Sequence, residues 1–317
     1  MSFEFRRAAV IGTGMMGPGI AVTLACGGLD ATILSRTPEG AERGRQSALR
    51  LLGILVEHGL ASSGLEERIR ASANMQSEIE AADVIIESAP ENMAFKQELF
   101  EQLDRWAKPS AVLTSNTSGL SITSIAERCR HPERVLTTHF WNPPHLMPLV
   151  EVVKGQRTSN EAAEAVRQLL TRCGKVAVLV KKDTPGQLGN RLQFALFREA
   201  IHILQEGIAG VEEIDLATKC GFGLRLPVYG ILEHQDIVGA DVGLSILDYV
   251  APSLNADSRA PELLRNLVAE GKTGARSGAG FYDWSVKSAD AVRKLRDDFV
   301  LEMVKSLHNR KSGASPV

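Results

Sequence analysis

A doubly wound α/β sheet followed by an all-α C-terminal domain is the fold class this sequence predicts, and three observations predict it. Short β-branched runs alternate with helical patterns over the first half of the chain. A set of three glycines stands directly after the first of those runs. Beyond "KKDTPGQLGN" (181–190) no strong strand pattern recurs, and helical periodicity with Gly and Pro punctuation takes over.

Taken in order, "AAVIG" (8–12) predicts a buried strand and "PGIAVTLACGG" (18–28) a helix. "ATILSR" (31–36) predicts a second strand, followed by a long amphipathic helix from Pro38 to His58. Further strands are expected at 83–89, 111–116, 134–140, 148–153 and 175–181. Helices near 92–107, 121–129 and 159–172 separate several of them. The last two strands are expected antiparallel at an edge. "RLQFALFREAIHILQEG" (191–207) and later segments read as helices, and the tail "HNRKSGASPV" as disordered. The economical division is a dinucleotide-binding domain over 1–184 and a helical substrate and dimerisation domain over 185–317.

Bulk properties narrow the function. A chain of 317 residues is long for one core, so two domains are the natural expectation. With 44% hydrophobic and 23% charged residues it reads as an ordinary globular protein. A formal charge of −2 predicts no broad electrostatic footprint for nucleic acid or membrane. Cys26, Cys129, Cys173 and Cys220 show no metal-ligand spacing, so no metal is expected. They read as reduced thiols of a cytoplasmic protein. The N-terminus enters a strand pattern almost at once, which leaves no room for a signal peptide. No apolar run approaches the ~18 residues of a membrane span.

The glycine loop carries the first functional reading. "VIGTGMMGPG" sets Gly12, Gly14 and Gly17, with Met15 and Met16 between them, at a strand-to-helix turn. Such glycines allow a tight turn, backbone approach to a pyrophosphate, and close helix–sheet packing. The helix N-terminus can then hold phosphate. This makes the first domain Rossmann-like. At the end of the second strand, where an NAD site carries a carboxylate for the ribose hydroxyls, stand Ser35 and Arg36. A carboxylate would repel a 2′-phosphate, whereas Ser plus Arg can bind one, so NADP is expected ahead of NAD; the bland reading of Arg36 is a solvated surface residue.

The stretch "THFWNPPHLMPLVEVV" (138–153) holds His139 and Glu151 around three prolines. It is either a strand–turn–strand that merely packs or a catalytic histidine with its carboxylate partner. A short connection could bring the two residues together. An imidazole suits a general base, and a carboxylate on its far nitrogen fixes the tautomer. Among the other histidines, His202 reads as a core or interface residue and His131 as a surface one. His145 divides between substrate contact and a role in the proline turn, while His58 and His234 have no identifiable partner.

The motifs together resemble the 3-hydroxyacyl-CoA dehydrogenase family over nearly the whole chain. The likeness is carried by "GTGMMG" (12–17), "ESAPENMAFKQELF" (87–100), "SNTSGLSIT" (115–123), "HFWNPP" (139–144), "LVEVVKG" (149–155), "PGQLGNR" (185–191) and "SGAGFYDW" (277–284). It implies a Rossmann domain with a helical domain through which such proteins usually dimerise. It implies His139 as catalytic base and Glu151 as its partner, with Ser118 and Asn190 at positions that bond the substrate oxygen or hold the site. Glu91, Lys96, Ser118 and Asn142 match positions lining the nicotinamide ribose and ring.

Three departures shape the substrate reading. Pro148 stands where acyl-CoA members carry a basic residue, and Glu57 and His58 stand where CoA-docking lysines are usual. "CGFGLRLPVYG" (220–230) looks like the free-hydroxy-acid branch of the family, that of carnitine dehydrogenase and L-gulonate 3-dehydrogenase (lambda-crystallin). Arg225 there could hold a substrate carboxylate through its two-pronged guanidinium; its bland reading is a helix cap or a surface pair. The expected activity is NAD(P)-dependent oxidation of a small free 3-hydroxy acid. The alternatives are an L-3-hydroxyacyl-CoA dehydrogenase and a non-catalytic crystallin-like protein.

Overall fold

The computed structural model describes residues 3–313. In chain order it runs β1 (Arg7–Ile11), α1 (Gly17–Cys26), β2 (Asp30–Leu34), α2 (Pro38–Glu57), β3 (Ile69–Ser72) and α3 (Met75–Ala81). Then come β4 (Val84–Glu87), α4 (Met93–Trp106), β5 (Val112–Ser115), α5 (Ile122–Ile125), β6 (Val135–Phe140) and β7 (Leu149–Lys154). α6 (Asn160–Arg172), β8 (Val176–Val180) and α7 (Gly189–Gln205) follow. The rest is helical: α8 (Val211–Cys220), α9 (Ile231–Val238), α10 (Ala240–Val250), α11 (Glu262–Ala269) and α12 (Ala289–Gly313).

The strands form one sheet in the order β3-β2-β1-β4-β5-β6-β7-β8. β1 to β6 are parallel; β7 is antiparallel to β6, and β8 is parallel to β7. The last two strands thus run against the other six at one edge, as expected. Alternation along each strand feeds two cores. Ala8, Val10, Val84, Ile86 and Val112 enter the core shared with α1, α2 and α6. Ala9, Ile11, Ile85 and Leu113 enter the one covered by α3 to α5, with Leu99, Phe100 and Leu103 of α4. Helix starts are marked by side chains that satisfy orphan N–H groups: Thr37 accepts from Gly40, Asn92 from Phe95 and Ser159 from Ala162.

Three features depart from the expectations. β3 and α3 were not expected, because "IRAS" offers a single buried residue and gains its identity from pairing with β2. The tail is not disordered from residue 308, since α12 continues to Gly313; residues 314–317 lie outside the described residues. Compactness also draws its own line, a few residues past the expected 184/185 domain division. One compact unit ends at Asn190 and takes back the chain from Asp297; the other is Arg191–Arg296. The reason is apolar: Leu301 is buried in the first unit's core and Val300 packs against it.

The second unit is built differently. Among its described residues only Ile201 is buried, and α8, α9, α10 and α11 bury none. It contains an apolar cleft of about 500 Å³, lined in part by Phe197, Ile201, Leu204, Ile214, Phe281 and Trp284. No helix among the described residues is long and apolar enough to cross a membrane.

Candidate active site

β1 pairs with β2 on one side and β4 on the other, so the strand order reverses at its carboxyl end. That is where an open α/β sheet leaves a crevice for ligand. A cavity of about 1000 Å³ occupies it, walled by 24 residues that all belong to the first unit. Gly12, Gly14, Met15 and Met16 form its floor, and Ser35 and Arg36 one end. Glu91, Asn116, Ser118, His139, Asn142 and Asn190 line it from the other strands and loops.

The glycine loop fits a dinucleotide. Gly12 has φ +118°, and a Cβ there would stand 2.5 Å from the Ser88 carbonyl oxygen. A Cβ on Gly17 would stand 1.9 Å from the Gly12 carbonyl oxygen, so both positions exclude any other residue. At Gly14 no protein atom lies within 4 Å of a Cβ position, and its bare backbone faces the cavity. At the far end the Arg36 side chain is exposed and makes no hydrogen bond or ion pair among the described residues.

His139 and Glu151 are register partners across β6 and β7, which settles whether a short connection unites them. His139 Nδ1 lies 2.7 Å from Glu151 Oε2, with the carboxylate fully buried. Glu151 Oε2 also accepts from Trp141 Nε1 at 3.1 Å. Its Oε1 accepts from the backbone N–H of Leu188 and Gly189, each at 2.9 Å, at the start of α7. Burial alone pushes the Glu151 carboxyl up. The bonds from His139, Gly189, Leu188 and Trp141 outweigh it and hold the group down at about 2. Glu151 is therefore a carboxylate at neutral pH. It occupies Nδ1 of the imidazole, and His139 lines the cavity.

Around Ser118 a set of hydrogen bonds holds the loop. Glu91 Oε1 accepts from Thr117 Oγ1 and Ser118 N, each at 2.7 Å, and from Gly119 N at 3.3 Å. Asn190 Nδ2 donates to the Ser118 carbonyl at 2.8 Å. Glu91 and Asn190 thus grip the loop that presents Ser118. Lys96 does not line the cavity: its ammonium sits 2.6 Å from Glu87 Oε1 and 3.4 Å from Glu91 Oε2, with 1% of its side chain exposed. Its ammonium is thus engaged by two carboxylates, of which Glu91 lines the cavity. Asn142 does line the cavity, at the cis Asn142–Pro143 bond.

Several contributors escaped the sequence reading. Glu87 is the buried anion that orients Lys96. Asn116 ties β5 to β6 by accepting from Phe140 N at 2.9 Å. Buried Gln187, at φ +52°, donates from Nε2 to the Thr117 carbonyl at 2.8 Å. Trp141 is the fourth donor to Glu151. "SN" and "HFW" at strand ends were the only available signals, because each partner lies in a distant segment.

The remaining histidines fall into place. His145 packs over Gly19 of α1, where a Cβ would stand 3.3 Å from its Nδ1, and it is absent from the cavity wall. Burial, aided by Lys175, holds it down at about 4, so it is a neutral part of the proline turn. His131 is at the surface with Glu133, 3.2 Å away. His58 ends α2, His202 is half-buried in α7, and His234 stacks on Tyr229 at 5.3 Å. Arg225, in the second unit, is exposed, and its guanidinium makes no hydrogen bond or ion pair among the described residues.

A crevice of this shape, with a histidine on its wall and a buried carboxylate behind it, is the equipment of a nicotinamide-dependent oxidoreductase. Comparison with known proteins makes the class specific. Residues 7–184 match the model of the 3-hydroxyacyl-CoA dehydrogenase NAD binding domain, and 186–284 that of the 3-hydroxyacyl-CoA dehydrogenase C-terminal domain. The chain belongs to the 3-hydroxyacyl-CoA dehydrogenase family, NAD-dependent oxidoreductases acting on CH–OH groups. A Bacillus subtilis protein named "Probable 3-hydroxybutyryl-CoA dehydrogenase" is 39% identical over 291 residues, covering 90% of this chain and 100% of that one. L-carnitine dehydrogenase of Pseudomonas putida is 33% identical over 313 residues, covering 98% and 96%. The crystal structure of 5-formyl-3-hydroxy-2-methylpyridine 4-carboxylic acid 5-dehydrogenase, described as an NAD+ dependent dismutase, superposes with a TM-score of 0.88. It is 29% identical and covers 98% of this chain and 100% of that chain.

Proposed function

We propose that this protein oxidises the secondary alcohol of a small free 3-hydroxy acid, with His139 as general base. One observation carries the chemistry: Glu151 Oε2, 2.7 Å from His139 Nδ1, orients the imidazole on the cavity wall. Glu151 holds the tautomer that leaves Nε2 free to accept the hydroxyl proton. Its charge then stabilises the imidazolium. Ser118 hydrogen-bonds the substrate oxygen in this reading, which its loop's bonds to Glu91 and Asn190 support. The chemistry that bound nicotinamide supplies is acceptance of a hydride from the carbinol carbon.

The free-acid assignment is supported by Pro148 and the Glu57–His58 pair at positions where acyl-CoA enzymes carry cations. It is also supported by near-complete structural likeness to a pyridine-carboxylate dehydrogenase. Arg225 is the residue we assign to the substrate carboxylate. The 39% identity to a protein named for 3-hydroxybutyryl-CoA favours the second reading, a hydroxyacyl-CoA substrate. Arg36 supports NADP as the preferred nucleotide within an NAD-binding family. Free thiols at all four cysteines accord with a cytoplasmic protein. The open core of the helical unit, with Ile208, Leu232 and Ile237 exposed, supports closure by a second copy as a homodimer.

The test is a spectrophotometric screen of L-carnitine, other free 3-hydroxy acids and 3-hydroxybutyryl-CoA with NAD+ and NADP+. His139→Asn should lower kcat by roughly 10²–10⁴ while nucleotide affinity holds. Near-normal turnover in that variant removes His139 from the mechanism. Preference for the CoA thioester over every free acid establishes the second reading.

A further inference from the structure

The His139–Glu151 pair is not isolated: a third side chain shares its carboxylate. Trp141 Nε1 donates to Glu151 Oε2 at 3.1 Å, the same oxygen that takes the His139 Nδ1 proton at 2.7 Å. The other oxygen is taken by the N–H groups of Leu188 and Gly189. The indole lies 5.6 Å from the imidazole centroid, tilted by 54°. It has been given room: a Cβ on Gly189 would stand 2.4 Å from Trp141 Cζ2. A phenyl ring at 141 would keep an aromatic side chain there but could not donate, so the N–H is a part that packing does not require.

We propose that Trp141 is a positioning residue: its indole N–H shares Glu151 Oε2 with the imidazole, fixing the carboxylate's orientation and restraining its pull on the His139 proton. This rests on the reading of His139 as base. Two donors on one oxygen compete, because each withdraws electron density that the other would use. Deleting one must tighten the other. With both present, Glu151 stays a carboxylate throughout the proton transfer while it holds the imidazole in place. β8 places uncharged Val178 opposite Glu151 in the register. The charged residues on the cavity wall are Arg36 and Glu91, and Glu91 is engaged by the Ser118 loop.

The experiment is NMR of the protein without cofactor at low temperature. A proton on a carboxylate-bonded histidine resonates downfield of the amides, and its loss in His139→Asn assigns it. In Trp141→Phe that line should move further downfield. In Glu151→Gln the Trp141 indole N–H cross-peak, assigned by its loss in Trp141→Phe, should move upfield. A His139 line unmoved by Trp141→Phe overturns the proposal, as does an indole cross-peak indifferent to Glu151→Gln. Should Trp141→Phe fail to fold, the benzothiophene analogue of tryptophan, which replaces only the N–H by sulfur, makes the same comparison. Turnover is a separate readout. Activity surviving in His139→Asn removes the base assignment, whereas unmoved lines beside a dead His139→Asn remove only the role of Trp141.

Discussion

Lys96 places its ammonium 2.6 Å from Glu87 Oε1, and both side chains are closed to solvent. Glu87 also accepts from Ala89 N at 2.6 Å and from Ser115 Oγ, so the anion is fully engaged at the end of β4. Truncating Lys96 would leave that carboxylate buried without its cation. Lys96→Met should destabilise the first unit by about 3–5 kcal/mol. Urea unfolding measures it, and a loss below 1 kcal/mol would show that the pair is solvated in solution. Glu91 would also lose a cationic neighbour, so nucleotide affinity is a useful second readout.

Glu151 links the site to acid stability. Its folded carboxyl is depressed to about 2 from an ordinary 4.5. A depressed carboxyl stabilises the fold above its unfolded value and loses that contribution as pH falls through the folded one. The stability difference between wild type and Glu151→Gln should therefore change by on the order of 3 kcal/mol between neutral and strongly acidic pH. It should shrink as pH falls from 4.5 toward 2. Thermal melts of both proteins across that range make the comparison. Parallel curves would deny the carboxylate its bonds.

Under the NADP proposal, Arg36 selects the nucleotide. Its exposed guanidinium beside half-buried Ser35 can take a 2′-phosphate. Arg36→Ala should weaken NADP binding by about 1.5–3 kcal/mol, the span of a charge-assisted bond, and leave NAD binding nearly unchanged. Calorimetry with both nucleotides decides it. A wild type that binds NAD more tightly would reverse the assignment.

Arg225 tests the substrate class. Arg225→Met should raise KM for a free hydroxy acid and lower kcat, since orientation is lost along with affinity. Lysine should rescue only partly, because an ammonium lacks the planar fork. A thioester presents no carboxylate there, so its turnover should be indifferent. Intact activity of Arg225→Met on a preferred hydroxyacyl-CoA excludes the free-acid reading.

What the sequence by itself determined is local. The glycine turn, the alternating β-branched runs and the helix caps are written in neighbours a few residues apart, so the doubly wound domain was legible to within a residue or two at most boundaries. His139 and Glu151 were legible for the same reason, being twelve positions apart on adjoining strands. Tertiary structure alone decided the rest. β3 is a strand because β2 pairs with it, and the chain from Asp297 rejoins the first unit because Leu301 finds a core there. Lys96 was expected at the cofactor; that its ammonium pairs with buried Glu87 is a contact the fold makes and no spacing in the sequence announces. The bond from Trp141 to Glu151, and those that hold Ser118 from Glu91 and Asn190, join segments between 10 and 72 residues apart. No periodicity encodes such contacts; they exist because the sheet brings the ends of its strands to one edge.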